Sequence, residues 1–224
     1  MTHVAVLAKA RQTYTQRMTA AQRERAALVE SLRAHGPDAP TLCEGWTSRD
    51  LAAHLVVRER RLDAAPGILV PQLAGYTERV QAQVTASTDW EKLVDMIAAG
   101  PPLYSPFKLL DPFVNVAEMF IHNEDVRRAQ PTWEPRELDD RLASALAGQV
   151  ATMARMGIKN PPARILLVTP DGRQLGAAGR GAEVTVTGAP GELLLFAAGR
   201  GPAQVKFSGP DDAVAAVRGS NRGF

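Results

Sequence analysis

Glu118 and His122 stand four residues apart in Glu118-Met119-Phe120-Ile121-His122, which puts a carboxylate and an imidazole on one helix face, about one turn apart. A pair so placed can grip one cation. The spacing also has an ordinary alternative, a solvent-facing pair of helix-compatible polar residues. Val114, Val116, Met119, Phe120 and Ile121 weigh against that alternative, because they make the segment mostly apolar and point to burial. A carboxylate buried without a partner is costly, and either metal coordination or a Glu–His hydrogen bond offsets the cost.

His54 lies three residues after Leu51 in Leu51-Ala52-Ala53-His54-Leu55, on the stripe that faces a helical core. A lone inward histidine is usually a satisfied core residue, but convergence with Glu118 and His122 reverses that preference. Two histidines and one glutamate make three ligands with a position left for water or substrate, the pattern of catalytic rather than structural zinc. Nickel, manganese and iron accept the same donors, so zinc is only the favoured ion.

Asp125, three residues past His122, can accept from the other ring nitrogen and fix its tautomer, or be a solvated helix acid. Arg58, one turn past His54, can stabilise an anionic oxygen of a substrate, or extend along the helix surface as arginines commonly do. Cys43 fits a small buried hydrophobe better than a nucleophile or ligand. Trp46 anchors the loop before the His54 helix by packing. His3 and His35 have no assignable partners.

Several helices must position these residues. Thr19 and Gln22 form a capping-box pattern for a helix ending at His35 before Gly36-Pro37, and Thr47 caps a second that runs to about Ala65. A third covers about Gln72 to Ala86. A fourth starts at Thr88, with Glu91 three residues on, and stops at Gly100-Pro101-Pro102. The stretch from Pro101 to Leu110 reads as a loop packed against the fold. Asp111-Pro112 opens a helix to about Ala129, and Pro135 to Met156 forms a last long one with a core stripe of Leu138, Leu142, Leu146, Val150 and Met153. Beyond Pro161 the texture turns to strands at Arg164–Val168, Glu183–Thr187 and Gln204–Phe207, with helices at Pro190–Ala198 and Pro210–Arg218. The expected organisation is α+β: a helical bundle over 18–157, an α/β domain over 162–224, and a leader, 1–17, that is an added helix, a tail or an upstream start.

With 224 residues the chain can hold two modest cores. A net charge of +2 gives no electrostatic case for nucleic acid. No apolar run approaches the roughly 18 residues of a bilayer span, so no membrane partner is expected. The single cysteine cannot form an internal disulfide, which fits cytoplasmic residence. Neither glycine-rich phosphate motif is present, so nucleotide binding by those loops is not expected.

The block Cys43-Glu44-Gly45-Trp46-Thr47-Ser48-Arg49-Asp50-Leu51-Ala52-Ala53-His54-Leu55 resembles the C-x-G-W-[ST]-x-x-D-L-x-x-H-L segment of mycothiol-dependent maleylpyruvate isomerase relatives, within the DinB-like bundle superfamily. Glu118-x3-His122-x2-Asp125 resembles that family's second metal-binding segment. Val184 to Gly188, Gly191 to Leu195 and Gly199-Arg200 are similar to its C-terminal domain, which resembles a sterol-carrier-like α/β fold. An actinobacterial subgroup is the nearest look-alike. The resemblance implies a DinB-like antiparallel bundle followed by a sterol-carrier-like domain. It also implies a divalent metal on His54, Glu118 and His122, and a small-molecule thiol, mycothiol, attacking an electrophilic substrate in a transfer or isomerisation. Asn123-Glu124-Asp125-Val126-Arg127-Arg128 departs from the glycine and aromatic residues often found there in the isomerases, so their substrate pocket is not carried over. The other class of reading is a non-catalytic small-molecule-binding or stress-response module, in which the three polar residues are a buried hydrogen-bonded cluster.

Overall fold

The computed structural model describes residues 18–68, 70–105, 108 and 115–223; the 1–17 leader and the Asp111-Pro112 helix start lie outside the described residues. The architecture is mixed, helices with one four-stranded sheet, and the chain divides into two compact units, 1–131 and 132–224.

The first unit is helical. Helix α1 (Ala20–His35) opens with the expected capping box: Gln22 N–H donates to Thr19 Oγ1 over 3.2 Å, and Thr19 N–H to Gln22 Oε1 over 2.9 Å. Helix α2 (Ser48–Arg60) is shorter than expected. It ends where Arg61 leaves the helical region (φ −113°, ψ 79°), and the turn that follows has its own partners. Asp63 accepts from Arg61 and from the Tyr76 hydroxyl, and Thr77 Oγ1 donates to the Ala64 carbonyl. Two 3₁₀ turns (Ala65–Ile68 and Pro71–Leu73) lead into α3 (Ala74–Ser87).

Helix α4 (Trp90–Ala98) starts after Asp89 rather than Thr88, with no side-chain cap, so the expected Thr88–Glu91 box does not form. At its other end Arg60 donates to the carbonyls of Met96 (2.9 Å) and Gly100 (3.0 Å), a cation where the helix dipole favours one. Helix α5 is described over Asn115–Arg128. The apolar core joins Leu28 and Leu32 of α1, Leu51 and Leu55 of α2, Leu93 and Ile97 of α4, and Met119 and Val126 of α5. Leu103 and Tyr104, expected to pack, are exposed.

In the second unit α6 (Asp140–Gly157) starts after Asp139, whose carboxylate accepts from Leu142 N–H over 2.8 Å. Helix α6 falls within the second compact unit, 132–224. The reason is packing: α6 buries Leu142, Leu146 and Val150, and it lies against α7 (Pro190–Ala197) and strand β2. Strands β1 (Arg164–Val168), β2 (Gln174–Ala178), β3 (Glu183–Thr187) and β4 (Lys206–Ser208) form a sheet in the order β2-β1-β3-β4. β1 and β3 are parallel, and the two outer pairings are antiparallel. Helix α8 (Asp211–Gly219) follows.

β2 escaped the sequence reading because glycine and alanine are poor strand formers. They are there for closeness: a Cβ on Gly176 would stand 3.3 Å from the Ala151 Cα of α6. Gly157 is tighter, since a Cβ there would overlap the Ala197 carbonyl oxygen. Gly157→Ala is expected to lower stability by about 1–3 kcal/mol through forced separation of backbones, read from the midpoint of chemical unfolding.

Candidate metal centre

His54 reaches the site because the start of α2 is pinned. Thr47 N–H donates to Asp50 Oδ2 over 3.0 Å, and Asp50 N–H returns to Thr47 Oγ1 over 3.4 Å. The loop before it is fixed by its own bonds: Cys43 N–H donates to Thr41 Oγ1 (3.2 Å), and Thr41 Oγ1 donates to the Trp46 carbonyl (2.9 Å). Leu42 N–H donates to the Asp125 carbonyl over 3.0 Å, tying this loop to α5. The Trp46 ring lies 5.1 Å from the His54 ring, so Trp46 packs on the candidate ligand as well as anchoring the loop.

His54, Glu118 and His122 come together. His122 Nε2 is 3.3 Å and His54 Nε2 3.9 Å from Glu118 Oε1, and the imidazole centroids are 5.5 Å apart. All three donor atoms lie within 4.8 Å of one another. Four ligands at about 2.0–2.1 Å from a tetrahedral zinc stand roughly 3.3–3.4 Å apart, which matches the Glu118–His122 spacing, while His54 stands further out. The two nitrogens and one carboxylate oxygen are also a donor set that zinc accepts. The Glu118 side chain keeps 26% of its exposure, against 12% for His54 and 10% for His122, so the carboxylate is the member nearest water.

Asp125 and Arg58 hold the cluster from behind. His122 Nδ1 is 3.0 Å from Asp125 Oδ2, the contact expected of an orienting carboxylate. Arg58 is buried rather than extended along the surface. Its Nε is 3.2 Å from Glu118 Oε1, and its guanidinium donates to Asn115 Oδ1 over 2.8 Å. Cys43 packs among core hydrophobics as expected, but its thiol also donates to Asp125 Oδ2 over 3.3 Å. The helical spacings Arg58 = His54 + 4 and Asn115 = Glu118 − 3 carried the signal for the Arg58–Asn115–Glu118 set. Nothing local in the sequence marked the partner of Cys43. His35 is exposed at the end of α1.

Burial alone would raise the Glu118 carboxyl, but the Arg58 guanidinium and the hydrogen-bonding histidines outweigh it and hold the group well below the usual carboxylate range. Burial lowers His54 below the ordinary imidazole value, and His122 and Arg58 add to it against the opposing pull of Glu118. For His122, burial is outweighed by Asp125, Cys43 and Glu118, which raise the imidazole well above its usual range. The cluster without metal thus holds an ionised carboxylate, a neutral His54 and a proton on His122.

A helical unit presenting two histidines and a glutamate from two of its helices defines the class of protein, a helical domain with a candidate cation site. The model of the mycothiol maleylpyruvate isomerase N-terminal domain matches residues 18–188, and the chain belongs to that family. Two solved structures share its fold: the mycothiol-dependent maleylpyruvate isomerase and a histidine-to-alanine mutant of it. Each is 17% identical, covering 84% of this chain and 90% of the other, with a TM-score of 0.58. No curated protein matches the chain. Among the described residues no helix is long and apolar enough to cross a membrane.

Thr47→Ala removes the cap that starts the His54 helix and is expected to cost about 1 kcal/mol, measured as a fall in unfolding midpoint; Thr47→Ser should keep most of it.

Proposed function

We propose that this protein binds a divalent metal ion, zinc by preference, through His54, Glu118 and His122, and uses mycothiol in a transferase or isomerase reaction on a small electrophile. The observation that carries the reading is three ligand atoms from two helices within 4.8 Å of one another, in a chain of this family. On this reading the first unit is a DinB-like bundle and the second a sterol-carrier-like domain.

A bound ion with one open position would take the mycothiol sulfur as thiolate and lower its pKa for attack. The protein's own residues supply the rest. Asp125 fixes His122 so that Nε2 points at the ion position, and Arg58 holds the Glu118 carboxylate ionised and in place. Arg58, which contacts Glu118 and Asn115, holds that carboxylate in place, and its guanidinium beside the ion position is the group that would steady an anionic oxygen of the substrate.

The 3.3 Å Glu118–His122 contact also suits a plain hydrogen bond, so a non-catalytic binding module is the second reading. Metal analysis separates the two. The wild-type protein is expected to carry about one ion per chain and the His54→Ala/His122→Ala variant almost none. Equal metal content in both would overturn the assignment. EDTA should abolish thiol transfer to an electrophile and added zinc restore it, whereas ligand retention without metal or turnover supports the carrier.

Metal affinity should also depend on pH with a defined sign. Since His122 holds a proton that the ion must displace, apparent affinity should rise about tenfold per pH unit below the raised His122 pKa and level off above it. His54, lowered instead, adds no competing proton at neutral pH. Competition with a chromophoric chelator across pH reads this slope, and a flat profile would contradict it.

A further inference from the structure

Cys43 is half-buried in the loop before α2, and its thiol meets the carboxylate that holds His122. Three observations make this contact more than chance packing. The Asp125 side chain is fully buried, so each donor reaching Oδ2 matters to the cost of keeping the carboxylate there. Oδ2 is met by both the Cys43 thiol at 3.3 Å and His122 Nδ1 at 3.0 Å, so the two groups fix one oxygen from two directions. The thiol's position is set by the backbone: Cys43 N–H is bound to Thr41 Oγ1, and the neighbouring Leu42 N–H is bound to the carbonyl of Asp125 itself.

We propose that Cys43 is a positioning residue for the candidate metal centre: its thiol orients the Asp125 carboxylate, which in turn fixes the His122 ring with Nε2 turned towards Glu118 and His54. The effect on metal affinity rests on the metal reading above; the orientation of the ring does not. An imidazole turns about the bond to its Cβ, so a carboxylate free to swing would let Nε2 leave the ion position even though all three ligands were still present. Sulfur suits the role, because an S–H is a weak donor that directs Asp125 without displacing the stronger bond from His122. The relay runs from loop to thiol to carboxylate to imidazole, and the thiol also stands within 4.8 Å of a His122 ring nitrogen, so position 43 bears on the ring both through Asp125 and at close range.

The full-length protein carrying Cys43→Ala or Cys43→Ser tests this. Zinc affinity by chelator competition is expected to fall about tenfold in Cys43→Ala and to return to within about threefold of wild type in Cys43→Ser, whose hydroxyl can donate to the same oxygen. In metal-free protein, the NMR signal of the His122 Nδ1 proton should move in Cys43→Ala and return in Cys43→Ser. Unchanged affinity together with an unmoved ring signal overturns the proposal. So does equal loss in both variants, since the cysteine would then act only as a space-filler. If the wild type binds no zinc, the metal reading fails by itself, and the ring signal alone decides whether Cys43 orients His122.

Discussion

An ionised carboxylate in a crevice that hides three-quarters of its surface is the constraint on which the helical unit is arranged. Glu118 can stay charged there only because Arg58 and the two imidazoles surround it. Those partners sit on two helices, so meeting the need of one side chain constrains where α2 and α5 stand relative to each other. The same geometry leaves three donor atoms converging on one point.

Other buried polar pairs lock that arrangement. Arg25 of α1 pairs with Glu59 of α2 and also donates to the Ile97 carbonyl of α4. Ser31 of α1 donates to Asn123 of α5 over 2.6 Å, and Arg58 of α2 reaches Asn115 and Glu118 of α5. An apolar interface tolerates sliding by a turn, whereas each of these bonds is satisfied in one register only. Leu28, Leu51, Leu93 and Met119 supply the attraction and the polar pairs supply the alignment.

The segment after His122 gains an explanation from the same network. Asn123 is engaged by Ser31, and Glu124 accepts from Arg127 (2.9 Å) and Arg128 (2.6 Å), with its side chain almost wholly buried. In this chain those polar residues are spent on internal contacts. Membership of the family and a shared fold do not by themselves assign a reaction; the donor set at the site narrows it.

Much was legible in the sequence. The capping pairs at Thr19 and Thr47, the strands Arg164–Val168 and Glu183–Thr187, and the four-residue step from Glu118 to His122 were all readable, because each depends on neighbours within one turn or one strand. Harder to read was α5, which is buried nearly all round and so lacks the one-sided periodicity that tells inside from outside. The helix expected over Pro135 to Met156 forms over Asp140–Gly157, but its neighbours were not readable, since an apolar stripe shows that a helix packs and not what it packs against. By itself, then, the sequence determined which side chains could reach one another along a helix. Only the tertiary structure decided that His54 meets Glu118, that Arg58 serves that carboxylate, and that Cys43 ends on Asp125. Those contacts join segments up to 82 residues apart, and burial and hydrogen-bond satisfaction across helices select them where no local preference does.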